Sequence, residues 1–335
     1  MLNRQLTLDF FKTQIGEDVI KQIRKITFCG NDGDPIYCRD LIDIIAWLKT
    51  VNPTIELVLI TNGSYKKPEW WAEFGNILND RDTVAFSIDG YDNDSNNLYR
   101  VNSDWDSIIT GLTTLTALKR AHVTWAVIAF AFNQDKLKDI EQIARDYGCD
   151  SLQVTKSIKF GSRFNSYNTS TDTDALEPRP EFVSQSGRYE RYSIQLSDRV
   201  LDNVDYMDTN KIHWANTVKT YTNDYVIPLC LIGNRGLYLN AAGQIYPCSW
   251  VAAPHHGRQS PVTGKTLKLE DSLFRKYEHL FDTNTRSFEE IINDPIWEKL
   301  FNSWHNKEGA FIECEEKCNR CAVQEENYSV GYLTN

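Results

Sequence analysis

The sequence predicts an α/β protein: repeated strand–helix units forming a parallel sheet, followed by a small cysteine-rich annex. Three observations carry this expectation. Short apolar runs begin near residues 26, 55, 83, 123 and 151. Segments with helical spacing fill the gaps between them, as right-handed parallel βα units require. Each run also ends in polar, turn-forming residues. This gathers loops at the C-terminal strand ends, where parallel sheets present their ligand sites.

The elements follow in order. Leu8, Phe11, Ile15, Val19 and Ile23 recur at helical spacing, predicting an amphipathic helix over 7–24. The stretch KITFCGNDGDP, Lys25 to Pro35, reads as a strand running into a loop in which Gly30 and Gly33 let the backbone approach a ligand closely. Leu41, Ile42, Ile45, Leu48 and Val51 mark a helix, and IELVLI over 55–60 a strand ending at Thr61, Asn62 and Gly63. A helix around 70–78 leads to a strand over 83–88 that ends at Asp89 and Gly90. Further helices are expected over 104–120 and 135–147, with strands over 123–130, ending at Asn133, and 151–155. Gly30 to Pro35, Thr61 to Gly63, Ser87 to Gly90, Asn133 and Lys156 therefore share one rim.

Composition narrows the function. With 335 residues and 41% hydrophobic content, the chain can bury one large core and a smaller one. A net charge of −10, from 36 basic and 46 acidic residues, argues against a broad nucleic-acid footprint. No run approaches the roughly 18–20 apolar residues of a membrane span, and Met1 is not followed by a signal-peptide pattern, so a soluble, cytoplasmic protein is expected. Eight cysteines in such a chain point to metal or redox chemistry rather than disulfides.

Five of those cysteines lie at the C-terminal end. Residues 157–225, polar and without a sustained period, read as a connection or insertion. After Cys230, LYLNAAGQIYPC predicts a hairpin turning at Asn240 to Gly243 and ending at Cys248. A helical region over 287–304 leads to Cys314, Cys318 and Cys321, spaced C-x3-C-x2-C. Four thiolates from this set suit an iron–sulfur cluster or a structural zinc equally on ligand count.

The order ITFCGNDGDP, LVLITNG, VAFSIDG and the strand ending at Asn133, followed by C-x12-G-x4-C and a cysteine knot, resembles the radical S-adenosylmethionine (radical SAM) enzymes with a C-terminal SPASM or twitch domain. The resemblance spans about residues 6 to 325 apart from the polar connection. It implies a partial (β/α)6 TIM-like barrel over 1–156, with the first strand missing, and a SPASM/twitch iron–sulfur domain over 226–325. The implied reaction is reductive cleavage of S-adenosylmethionine to a 5'-deoxyadenosyl radical, which takes hydrogen from a substrate. By the same resemblance Gly30, Gly33 and Asp34 bind the amino group of the methionine moiety, and Ser87 and Asp89 its carboxylate or ribose. Asn133 and Val154 meet ribose and adenine, and Asn62 belongs to the same cradle. An auxiliary 4Fe-4S cluster falls to Cys230, Cys248, Cys318 and Cys321, with Cys314 competing for the fourth place. A peptide substrate and an electron donor such as flavodoxin or ferredoxin are implied.

One feature departs from the family pattern: the C-x3-C-x2-C loop that holds the radical-generating cluster, expected after a first strand upstream of residue 7, is absent from this sequence. Translation assigned from an internal methionine, a natural split or degenerate form, or substitution by Cys314, Cys318 and Cys321 would each account for it. Without that strand, the Ile26 strand is expected to leave an open edge and an aggregation-prone product. Plainer readings stand beside the functional ones. Cys29, Cys38 and Cys149 suit packed small hydrophobes; Asp34 suits a helix cap; Asp89 and Gly90 suit a turn; His255 and His256 suit a solvated loop. The alternative of another class is a noncatalytic zinc protein with a nucleotide- or partner-binding α/β layer.

Overall fold

The computed structural model describes residues 5–30, 33–130, 132–156, 175–176, 194–195, 236–252, 276–300 and 331–332. The chain divides into two compact units, each assembled from separate stretches of sequence. One comprises Met1–Ile23, Cys38–Asn52 and Thr217–Asn327; the other comprises Arg24–Tyr37, Pro53–Asn216 and Tyr328–Asn335.

In the first unit the expected 7–24 helix is broken. Thr7 caps a short helix α1 (Leu8–Phe10), accepting a hydrogen bond from the Phe10 N–H at 3.1 Å. A π-helical turn over Phe11–Ile15 follows, and then α2 (Glu17–Ile20). Gly16 sits between them at φ 81°, a left-handed conformation that ends a right-handed helix wherever the apolar period runs. The π turn still buries Phe11 and Ile15, so the periodicity located the buried face although not the helix.

The second unit contains the sheet. Its first strand is β1 (Lys25–Phe28), and a 3-10 turn follows over Pro35–Tyr37. Helix α3 (Leu41–Val51), which belongs to the first unit, buries Leu41, Ile44, Ile45 and Leu48. Just beyond it, Asn52 Nδ2 donates to the carbonyls of Ile20 and Ile23 at 3.0 and 2.9 Å, closing the end of α2. Back in the sheet unit come β2 (Glu56–Thr61), α4 (Pro68–Asn76) and β3 (Thr83–Ser87). Next are α5 (Asn93–Tyr99), α6 (Trp105–Leu118), β4 (His122–Ala129), α7 (Leu137–Asp146) and β5 (Ser151–Lys156).

Strands β1 to β5 lie in sequence order, each parallel to the next. This is the five-stranded parallel layer the βα spacing predicts. Its core is aromatic. Trp71, Phe74 and Phe86 are fully buried, with the Trp71 and Phe86 ring centroids 5.3 Å apart. Helices α4 and α6 approach closely because Gly111 leaves room for the Trp71 indole; a Cβ there would lie 2.5 Å from the ring.

Two features were not expected. Helix α5 is short and polar, so no apolar period announces it; it is held by a capping box in which Asp92 and Ser95 exchange hydrogen bonds. A two-residue strand at Gly331–Tyr332 pairs antiparallel with β5, closing that edge, whereas β1 pairs only with β2 among the described residues. Between these, two-residue strands at Ala175–Leu176 and Ile194–Gln195 pair antiparallel with each other. No helix among the described residues is long and apolar enough to cross a membrane.

The hairpin appears as expected: Tyr238–Leu239 pairs with Ile245–Tyr246, and Gly243 takes φ 84° in the turn. The turn is fastened by Thr283, whose N–H and hydroxyl both donate to the Gly243 carbonyl, at 2.9 and 2.5 Å. Ile245, Tyr246, Val251, Phe281, Ile291, Ile296, Trp297 and Leu300 form a separate small core in the first unit, with Cys248 packed half-buried against it. The helix expected over 287–304 is interrupted. Ser287 caps Phe288–Ile292, and the chain turns at Asn293 to Pro295 before helix resumes over 296–300. Pro295 cannot supply an interior helical N–H, and the Asp294 carboxylate caps the restart by accepting from the Ile296 N–H at 2.8 Å.

Candidate functional site

The C-terminal ends of β1 to β4 carry two polar nodes. The first joins the loop after β1 to the end of β2. Asp34 Oδ1 accepts from the Thr61 hydroxyl at 2.7 Å and the Ile36 N–H at 3.2 Å, and Oδ2 accepts from the Asn62 N–H at 2.6 Å. The Asp34 carboxylate therefore caps the 3-10 turn, as its plainer reading expects, and also ties together the ends of two strands. Thr61 passes the order onward by accepting from the Gly63 N–H at 2.9 Å. Gly30 is needed for a local reason: a Cβ on it would fall 1.5 Å from the Gly33 carbonyl oxygen. Around Gly33, by contrast, no atom of the described residues lies within 4 Å of where a Cβ would stand.

Burial raises the Asp34 pKa above 3.8, against the lowering exerted by its donors from Asn62, Thr61 and Ile36. The folded chain thus binds this proton at a higher pH than the unfolded chain does. The stability contributed by Asp34 should rise as pH falls through the raised value toward 3.8, and level off below it. Melting temperatures of wild type and Asp34→Asn across that window check this: the wild type should gain on the variant as pH falls.

The second node lies between β3, β4 and α5. Asp89 and Asn133 are both fully buried. Asp89 Oδ1 accepts from the Ile128 N–H at 2.6 Å, and Oδ2 pairs with Arg100 Nε at 2.6 Å. Asn133 Nδ2 donates to the carbonyls of Asp89 and Ile128 at 2.7 and 2.8 Å, while its Oδ1 accepts from the Phe130 N–H at 2.7 Å. Burial raises the Asp89 pKa, opposed by the Arg100 guanidinium and the Ile128 N–H.

Asn62 and Ser87 end adjacent strands. Thr61 faces Phe86 across the ladder, so the next residue on each side brings these two level. Asn62 Oδ1 accepts from the Ser64 N–H at 2.9 Å, but its Nδ2, like Ser87 Oγ, makes no hydrogen bond to the described residues. Open donor groups on neighbouring strand ends, beside free space at Gly33, fit a polar ligand. Val154 lies on β5, nearly buried and opposite Val127, so it offers an apolar wall.

Cys248 is the one proposed metal ligand among the described residues; Cys230, Cys314, Cys318 and Cys321 lie outside them, as do His255 and His256. No group of three or more metal-ligating side chains occurs among the described residues. Cys149 is buried, its thiol pushed up to about 12 by burial, and Cys38 is half-buried with Sγ 3.4 Å from the Leu6 carbonyl. Cys29 is exposed, contrary to the packed-core expectation, because β1 is an edge strand whose residues alternate between exposed and half-buried. Sequence reasoning missed Arg100 and Asn96. Asn96 lies in α5 and Arg100 caps its C-terminal end, and the helix's only sequence signal is the Asp92 and Ser95 cap.

No protein-family model matches the sequence, and no curated protein matches it. Among solved structures the chain is similar to anSMEcpe with bound AdoMet, at 10% identity over 97% of this chain and 80% of that one, with a TM-score of 0.49. It is also similar to native anSMEcpe with bound AdoMet and Cp18Cys peptide (12% identity, 98% and 89% coverage, TM-score 0.48). A third is Streptococcus suis SuiB bound to S-adenosylmethionine (14% identity, 77% and 56% coverage, TM-score 0.44). The chain spans about half the length of SuiB, 56% and 54% in two structures and 28% in a third bound to precursor peptide SuiA.

Proposed function

We propose that this chain is a cytoplasmic radical SAM protein whose parallel sheet, within residues 1–156, cradles S-adenosylmethionine at the C-terminal strand ends. The observation that carries the reading is the pair of groups, Asn62 Nδ2 and Ser87 Oγ, that stand open among the described residues on adjacent strand ends, beside the space those residues leave at Gly33. In this reading the Gly30 to Asp34 loop brings backbone up to the methionine end, Asn62 and Ser87 hydrogen-bond the ligand, and Val154 lies against an apolar part of it. Asp89 and Asn133 serve by holding the rim in shape. When bound, the family's radical-generating cluster supplies the electron that cleaves the cofactor; the residues named here bind and orient it.

The 226–325 segment is assigned an auxiliary 4Fe-4S cluster on Cys248 and three of Cys230, Cys314, Cys318 and Cys321, with 157–225 connecting it to the sheet. A hairpin fastened at Gly243 and seated on its own small core is a rigid mount for one thiolate ligand. A peptide substrate and a flavodoxin- or ferredoxin-like electron donor complete the proposal. Anaerobic purification tests it: brown protein with several iron atoms per chain is expected, and Cys248→Ala should lose most of the iron and colour. Colourless protein carrying one zinc would favour the noncatalytic zinc reading instead.

A further inference from the structure

Every polar atom of Asp89 is committed to a different partner. Its N–H donates to Asn96 Oδ1 at 3.0 Å, and its carbonyl accepts from Asn133 Nδ2 at 2.7 Å. Its carboxylate Oδ1 accepts from the Ile128 N–H at 2.6 Å, while Oδ2 is held by charge, 2.6 Å from Arg100 Nε in an ion pair that lacks hydrogen-bond alignment. One residue thus joins β3 to β4, to the turn after β4, and to the middle and the C-terminal cap of the polar helix α5. Gly90 continues the node, donating to Asn96 Oδ1 at 3.2 Å, and it must be glycine because a Cβ there would lie 2.1 Å from the Asn96 backbone nitrogen. Arg100 is the only cation paired with Asp89 among the described residues. It follows α5, with its N–H bonded to the Asn96 carbonyl at 2.9 Å and its guanidinium 5.7 Å from the centre of the Tyr99 ring. Tyr99 in turn packs on Phe130, centroid to centroid 4.6 Å.

We infer that Arg100 is a positioning residue for the ligand rim, acting through Asp89. Resting on the adenosyl reading above, this deepens it by naming what holds Ser87 in place. Ser87 and Asp89 are two residues apart at the end of an extended strand and so start toward the same side. Asp89 turns its carboxylate into the protein, where it is bound at both oxygens, and this anchors the strand end that presents the open Ser87 hydroxyl. A buried carboxylate stays ionised there only with its counter-ion. Without Arg100 the carboxylate either takes up a proton, weakening it as the acceptor of the Ile128 N–H, or turns toward water, and both loosen the end of β3.

The test is calorimetric titration of S-adenosylmethionine into the full chain, with melting temperatures measured alongside, for wild type, Arg100→Gln and Asp89→Asn/Arg100→Gln. The neutral pair keeps an acceptor for the Ile128 N–H and removes both buried charges together. Arg100→Gln should weaken binding by about tenfold or more, and the double variant should return to within about threefold of wild type, because adjoining groups in one network couple non-additively. Wild-type affinity in Arg100→Gln would overturn the inference while leaving the adenosyl reading intact. A double variant with wild-type melting temperature but still tenfold weak binding would also overturn it, since Arg100 would then touch the ligand itself. If Arg100→Gln fails to fold, the double variant decides alone by the same two outcomes. Absence of binding to the wild-type chain overturns both readings.

Discussion

Replacing Asp89 with alanine should cost about 3–5 kcal/mol of stability, because it strands a partly buried guanidinium and removes the acceptor of a partly buried N–H at one stroke. The side chain is fully buried and its partner Arg100 is only 24% exposed, so water cannot stand in for the lost carboxylate. Asp89→Asn should cost less, since its amide oxygen still accepts from Ile128. Urea denaturation measures both, and the order Ala worse than Asn follows from the two oxygens having different partners. A surface ion pair would behave otherwise: the Lys21 pairs with Glu17 and Asp18 are largely exposed and should be worth no more than about 1 kcal/mol each.

Gly30→Ala and Gly33→Ala should separate folding from binding within one loop. A methyl group at position 30 would stand 1.5 Å from a carbonyl oxygen, and a backbone atom cannot rotate away as a side chain would. The loop would have to open, drawing Asp34 off Thr61 and Asn62, at a cost of about 1–3 kcal/mol of the kind overpacking produces. A methyl group at position 33 meets nothing, so stability should stay within about 0.5 kcal/mol of wild type. If backbone at Gly33 approaches the ligand, however, Gly33→Ala should weaken S-adenosylmethionine binding at unchanged melting temperature. Thermal melts beside calorimetric titrations check both halves.

What the sequence made legible follows from period. Parallel strands in the interior of a sheet write near-continuous apolar runs, and β1 to β5, the exposed β1 included, lie within a residue or two of the predicted ends. Backbone conformation overrides period at Gly16 and at Asn293 to Pro295, and there the expected helices break. The rim was legible as a set of positions because loops follow strands. Its internal wiring was not: nothing in the string says that Asp34 turns toward Thr61, or that Asp89 is consumed by Arg100 eleven residues later. Those partners are set by where the short polar helix α5 returns to the sheet, which depends on three-dimensional closure. Asn62 and Ser87 emerge as the open groups only after the bonds of their neighbours have been accounted for.

The central claim is that one end of the parallel sheet receives an adenosyl ligand. Amide hydrogen exchange of the full chain with and without S-adenosylmethionine tests it most directly. Slowed exchange confined to the Gly30 to Asp34 loop and to residues 61–63, 87–90 and 128–133 is the predicted result. No change on saturation, or protection instead at the opposite strand ends around Glu56, Thr83, His122 and Ser151, would contradict it.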